Sequence, residues 1–198
     1  GKNDILCRER SGKDLMKIRK NDIFLYGRKM LFQMLEILYP RRCAVCDEIE
    51  VTGKGICPLC KDKVHVAGEP ACKKCGKPLV DERKEFCTDC GKKHHVYTQG
   101  KAVFVYEGGI RNSMYRFKYG NKREYAEFYA NAAVEKYGVW LNKIKAEVLI
   151  PIPMYSRKKR LRGYNQAEVF ARELGRKAGI LVDEHLSLIH ISEPTRRS

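Results

Sequence analysis

The 198-residue sequence has no uninterrupted apolar run near the ~18 residues that a membrane-spanning helix needs. Its best candidate, Met30 to Leu38, is broken by Gln33 and Glu36. Nor does it have a charged start, an apolar stretch and a small-residue cleavage site in that order, so nothing marks it for secretion. Acidic side chains are in short supply: 24 Asp and Glu face 40 Lys and Arg, a formal net charge of +16. That imbalance argues against an acidic tail and for a polyanionic partner. Tryptophan occurs once, yet eleven Tyr and seven Phe within a 43% hydrophobic share supply a core and exclude disorder. The length suits one domain or two small ones. The expectation is a basic, soluble, cytoplasmic protein with no membrane span.

Cysteine is the residue in unusual supply. Eight of the nine form four pairs, Cys43/Cys46, Cys57/Cys60, Cys72/Cys75 and Cys87/Cys90, which begin 14, 15 and 15 residues apart. A disulfide framework suits a secreted mini-protein, not a chain of this length without an export signal. A redox CxxC usually occurs once, beside a βαβ pattern. Two structural zinc ions fit better, because each needs four soft ligands in a tetrahedron and a CxxC knuckle supplies two thiolates from one turn. Gly76 and Gly91 follow the second Cys of their pairs, where glycine tolerates a positive φ. Sequential pairing reads C-x2-C-x10-C-x2-C and then C-x2-C-x11-C-x2-C, so each copy completes its own site. A cross-brace, joining pairs one and three and pairs two and four, is the alternative. Cys7 stands outside the pattern as an inert thiol, and His94 and His95 are read as solvated.

The charge is unevenly spread. Residues 1–40 carry +4, residues 41–95 carry +3 and residues 96–198 carry +9. Eight zinc-bound thiolates and two dications would take the middle segment from +3 to −1. A zinc module that gripped nucleic acid should be the basic part. Here it reads as structural, with the anion-binding surface further on.

Residues 1–29 carry no readable motif and are left as an unassigned N-terminal extension. The chain begins with Gly1, and Met30 is read as a true start. Leu31, Leu35 and Leu38 recur at i, i+4 and i+7, a short amphipathic helix that Pro40 stops. Lys101 to Glu107 is β-rich and ends at Gly108-Gly109. Ile110, Met114 and Phe117 mark one helical stripe, and Tyr125, Phe128 and Ala132 mark another that runs to about Gly138. Glu147 to Pro153 is a continuous apolar run, the pattern of a strand buried on both faces of a parallel sheet. A loop, Met154 to Tyr164, leads to a helix with Asn165 as N-cap and Glu168 three residues on. Gly179 and the strand-like Ile180-Leu181-Val182 complete the opening of an α/β fold.

In that loop Arg157, Lys158, Lys159, Arg160 and Arg162 put five cations in six residues, between a buried strand and a helix N-terminus. Open α/β sheets bind ligands at that edge, and backbone N–H groups there favour phosphate. Gly163 permits close backbone approach, while Tyr164, Asn165 and Gln166 add polar groups. Tyr155 and Tyr164 flank the cations as candidate platforms for bases. A solvated basic loop is the competing reading.

Leu38 to Cys46 (L-Y-P-R-R-C-A-V-C), the double CxxC array, Tyr106 to Arg111 (Y-E-G-G-I-R), Phe117 to Gly120 (F-K-Y-G) and Ile150 to Glu168 together resemble the ComF (GntX-like) family. The resemblance covers residues 30–186. It implies a fold in the α/β class: an N-terminal double zinc ribbon (30–95, with its leading helix) followed by the first part of a parallel-sheet, type I phosphoribosyltransferase-like domain (96–186). It also implies that Ser156 to Asn165 handles pyrophosphate, and that the protein serves competence by taking up single-stranded DNA alongside other DNA-uptake proteins. Phosphoribosyl transfer in base or nucleotide salvage, with Mg²⁺ and phosphoribosyl pyrophosphate, is the alternative if the domain is completed. The family's apolar strand running into two acids and a Thr-Thr-Gly turn is absent, and Asp183 and Glu184 lack that context. No catalytic residue is therefore assigned. Ser187 to Ser198 does not continue the family pattern and resembles translated adapter readthrough, a non-native tail.

Overall fold

The computed structural model describes residues 30, 31, 34 and 38–185. The chain divides into two compact units between Arg41 and Arg42. In the first, the described positions Met30, Leu31, Met34 and Leu38 are helical, in line with the helix expected there. Leu35, Cys7 and the Ser187–Ser198 tail lie outside the described residues.

The second unit opens with two copies of one small motif. In each, a Cys-rich knuckle is closed by an antiparallel bridge, Arg42 with Ile49 and Ala71 with Pro78. The backbone bonds repeat as well: Cys43 N–H reaches Glu48 O and Cys72 N–H reaches Lys77 O, both at 2.8 Å. A short helix then carries the second pair, α1 (Pro58–Lys61) in the first copy and α2 (Thr88–Lys92) in the second. Cys57 and Cys87 are their N-caps. Lys101 to Glu107 does not join the parallel sheet. It pairs antiparallel with the segment after the first copy, through Ala67 N–H to Val103 O and Val105 N–H to His65 O, each 2.9 Å.

Helix α3 (Gly108–Tyr119) buries Ile110 and Phe117 of the expected stripe, while Met114 is only half-buried against the same core and Ser113 takes the remaining buried position. The expected strand end at Gly108-Gly109 is instead its first turn. Gly109 is needed there, since a Cβ would lie 2.7 Å from Val45 Cγ1 and 2.9 Å from Lys63 O. Helix α4 (Tyr125–Lys143) runs five residues past the expected stop at Gly138, because one glycine costs a helix only ~1 kcal/mol. Its buried residues Tyr125, Phe128 and Tyr129 meet Ile110, Phe117, Tyr164 and, from the first cysteine motif, Ala44 in one core. The two cysteine motifs and the helices therefore belong to one folded unit.

Strand β1 (Val148–Leu149) pairs in parallel with β2 (Leu181–Val182), Val148 opposite Leu181 and Leu149 opposite Val182. β1 is shorter than the apolar run that contains it, because Pro151 and Pro153 lack the N–H groups a ladder needs. Burial on both faces is not found among the described residues: Ile152 and Leu181 are largely exposed. The segment expected as a loop contains helix α5 (Ser156–Arg162). Lys, Arg and Leu are good helix formers, the cations of its last turn suit the helix C-terminus, and Gly163 at φ +78° caps it. Helix α6 (Gln166–Ala178) then packs along α4 and returns the chain to β2. Gly175 makes that return possible, since a Cβ would lie 2.6 Å from Val182 Cγ2. The architecture is thus mixed helix and a small parallel sheet, with the cysteine motifs at its N-terminal end. Among the described residues, no helix is long and apolar enough to cross a membrane.

Candidate metal centres and the basic segment

The eight paired cysteines fall into two groups of four, Cys43, Cys46, Cys57 and Cys60, then Cys72, Cys75, Cys87 and Cys90. Within each group the sulfur atoms lie within 4.8 Å of one another. The grouping is sequential, one group per motif, rather than the cross-brace. Cys46 Sγ and Cys57 Sγ are 3.7 Å apart, as are Cys75 Sγ and Cys87 Sγ. A disulfide would need ~2.0 Å, whereas four sulfurs at ~2.3 Å from one Zn²⁺ stand about 3.8 Å apart. The donor set and spacing therefore fit two structural zinc ions. His94 and His95 belong to neither group, and His95 stacks on Tyr97 instead.

The knuckles also prepare sulfur for its charge. Cys43 Sγ accepts from the N–H groups of Cys57 at 3.3 Å and Val45 at 3.4 Å. Burial raises the Cys43 thiol, but hydrogen bonds from the backbone of Cys46, Cys57 and Val45 outweigh it and bring the pKa down to about 7. In the second group burial is again offset by backbone N–H groups, here of Cys75, Cys87 and Lys74, and Cys72 falls to about 6. Desolvation and the neighbouring thiols push Cys60 and Cys90 up to about 12. Each site thus has one thiol ready to ionise, Cys43 or Cys72, and one that an ion must deprotonate, Cys60 or Cys90.

The two turns are built alike but solved differently. Gly76 adopts φ +74°, and a Cβ there would lie 2.7 Å from Ala102 N. Gly91 has no positive φ and sits in α2 with open space around it, so only one of the two expected glycine turns is of that kind. The residue equivalent to Gly76 in the first motif is Asp47, at φ +69°. Asp tolerates this region better than most residues. Its side chain is held by Tyr125 Oη at 2.6 Å and Lys122 Nζ at 2.8 Å. Burial raises the Asp47 carboxyl, but these two partners more than reverse that and hold it below the usual range. Sequence reasoning missed Asp47. Aligning the motifs on their cysteines places it opposite Gly76, and that register was the available signal.

The basic segment is less uniform than its sequence. Arg157, Lys158 and Arg160 project from α5 into solvent. Lys159 is paired with Glu168, its Nζ 3.0 Å from both carboxylate oxygens. Arg162 donates to Gln166 Oε1 at 3.1 Å and to the Tyr119 hydroxyl at 3.0 Å, with its guanidinium 4.6 Å above the Tyr119 ring. Gly163 O accepts from Arg123 at 3.1 Å. Tyr155 is exposed, but Tyr164 is only 5% exposed and its hydroxyl donates to Phe117 O. Asn165 is 2% exposed and caps α6, accepting from Ala167 N–H at 3.0 Å and donating to Ile152 O at 3.0 Å and Glu168 at 3.2 Å. The Asn165–Glu168 pair meets side chain to side chain. Three of the eight expected residues, Arg157, Lys158 and Arg160, thus remain directed outward, while Tyr164 and Asn165 fix the fold.

No curated protein and no solved structure matches the chain. Residues 34–91 match the family model of a double zinc ribbon domain, the arrangement in which the two four-cysteine groups stand.

Proposed function

We propose that this chain is a competence-type factor that handles single-stranded DNA, with the double zinc ribbon bracing a phosphoribosyltransferase-like scaffold. The ComF-type resemblance over residues 30–186 suggests this reading. The observation that carries it is the row of outward cations, Arg157, Lys158 and Arg160, on α5 just after β1. The ribbon segment, at −1 once its thiolates hold two ions, supplies no comparable field. Other DNA-uptake proteins would be its protein partners.

The test is fluorescence anisotropy of the zinc-loaded chain with a labelled oligonucleotide at several salt concentrations. Three phosphates neutralised on a single strand give a slope of log affinity against log salt of roughly −2. Replacing Arg157, Lys158, Lys159 and Arg160 with Ala should flatten it. A quadruple variant that keeps both affinity and slope returns the segment to ordinary solvated surface.

A second reading, phosphoribosyl transfer with Mg²⁺ and phosphoribosyl pyrophosphate, draws on one observation. The cations stand between the carboxyl end of a parallel strand and a helix N-terminus, where α/β folds receive phosphate. The sequence has no acid pair leading into a Thr-Thr-Gly turn to hold ribose and metal. This chain is expected to show no turnover of phosphoribosyl pyrophosphate with free bases, and any turnover detected would favour the enzyme over the binding factor.

A further inference from the structure

We infer that Tyr115 and Tyr119 on α3, together with Arg162 of α5, form the platform on which bases of a bound single strand stack. The inference rests on the single-stranded DNA reading and moves base contact away from the tyrosines that flank the cations. Positions 111, 115 and 119 recur every four residues, so Arg111, Tyr115 and Tyr119 share one helix face. Tyr115 is 65% and Tyr119 58% exposed, a large aromatic area to leave in water. Their ring centroids are 5.1 Å apart, and the Arg162 guanidinium lies 4.6 Å above Tyr119. The two ring planes are tilted by 47°, so cation, ring and ring form an angled column along the helix face, with Arg111 one turn further along.

Core packing does not explain this column. The inward stripe of α3 is Ile110, Ser113 and Phe117, and the two tyrosines lie outside it. Tyr119 is held in place by Arg162, whose Nη2 donates to its hydroxyl at 3.0 Å and whose Nη1 reaches Gln166 Oε1 at 3.1 Å. Ordering a ring before the ligand arrives lowers the cost of binding. Aromatic rings and guanidinium planes both accept a base face to face, with little regard for which base it is. Arg162 belongs to the same helix as Arg157, Lys158 and Arg160, so phosphates tracked by α5 bring their bases beside this column. Tyr164 cannot serve, since it is buried and its hydroxyl is tied to Phe117 O.

The experiment compares a labelled oligonucleotide with an abasic strand of equal length, on the zinc-loaded chain and on Y115A, Y119A, Y115F and Y119F variants. The two Ala variants should weaken oligonucleotide binding roughly tenfold to a hundredfold each, the range that loss of one stacked base gives. The Phe variants should bind nearly as the parent does. The abasic strand should bind weakly to the parent and equally to all variants, with an unchanged salt slope. Y119F also reports whether the Arg162 bond matters apart from the ring. If the parent binds the oligonucleotide while both Ala variants bind it equally well, the platform is wrong and the cation reading stands. If the parent binds neither strand, the DNA reading itself fails and the platform falls with it.

Discussion

The Tyr125 hydroxyl donates to Asp47 Oδ1 at 2.6 Å, tying the first residue of helix α4 to the residue that follows the zinc ligand Cys46. Asp47 sits at a positive φ, so the contact also holds an unfavourable backbone in place. Burial and the facing carboxylate raise the Tyr125 pKa well above its usual value, which keeps the proton on the phenol and the bond intact. Tyr125→Phe removes one donor but leaves Lys122 on the carboxylate. The expected loss is about 1.5 kcal/mol, the low end for a bond to a charged group. Thermal melting reads the loss, and faster zinc release to a chelator from the first site alone shows that the bond acts through the knuckle.

The two zinc sites should differ in what they support. The first motif places Ala44 in the helical core, and Val45 O accepts from Arg116. Zinc loss there should loosen α3 and α4. The second motif lies along a seam of Gly76 with residues 100–102, where Gly100 N–H donates to Lys74 O at 2.6 Å. Elemental analysis should find two zinc ions in the parent and one in each of the Cys60→Ser and Cys90→Ser variants. Helical circular dichroism should fall markedly for Cys60→Ser and little for Cys90→Ser. Equal losses would show that both motifs carry the helices alike.

Zinc uptake should release protons, and the sign follows from the thiols. At pH 7 Cys72 is already largely ionised and Cys43 about half so, while Cys60 and Cys90 hold their protons. Zinc uptake should therefore draw less than a full proton from Cys43 and least from Cys72, and a full one from each of Cys60 and Cys90, with four per ion as the ceiling for an unfolded apo site. Zinc-bound thiols have folded-state pKa values far below the ~8.5 of a free Cys. The stability they bring is present at high pH and lost as pH falls and protons displace the metal. Calorimetric zinc titrations in buffers of different ionisation enthalpy count the protons directly.

Gly76→Ala and Gly91→Ala should move stability in opposite directions. An Ala at 76 meets both a left-handed backbone and the peptide of residues 101 and 102, and should cost at least about 2 kcal/mol. An Ala at 91 enters helical backbone with nothing within 4 Å, and should gain about 0.5–1 kcal/mol. Melting of the two variants, both loaded with zinc, decides the comparison.

Cysteine spacing made both metal sites legible, because ligand chemistry is local: two knuckles 10 or 11 residues apart fold onto one ion. The helical stripes of α3 and α4, and Asn165 as a cap, were legible for the same reason. The basic segment misled, since its place between an apolar run and a capped helix reads as a loop, whereas propensity and the Gly163 cap make it helical. The neutralised Lys159 and the buried Tyr164 were out of reach. Their surroundings come from α3, α6 and Arg123 just before α4, through contacts between separate elements. For Asp47 the cysteine register marked the turn, but its partners Lys122 and Tyr125 lie far along the chain.

That last separation bears on the order in which the protein is made. Asp47 and Tyr125 are 78 residues apart, whereas the second site, with its Gly76 seam, closes within residues 72–102. A ribosome adding ~5–20 residues per second needs about 4–16 s to travel from Asp47 to Tyr125. Once residue 102 has been added, before that interval ends, the second metal site has every group it packs against along its seam, while the first has its sulfurs but not its brace. Completion along the nascent chain therefore runs opposite to the order of the cysteines: the later ribbon is finished first, and the earlier one waits for α4.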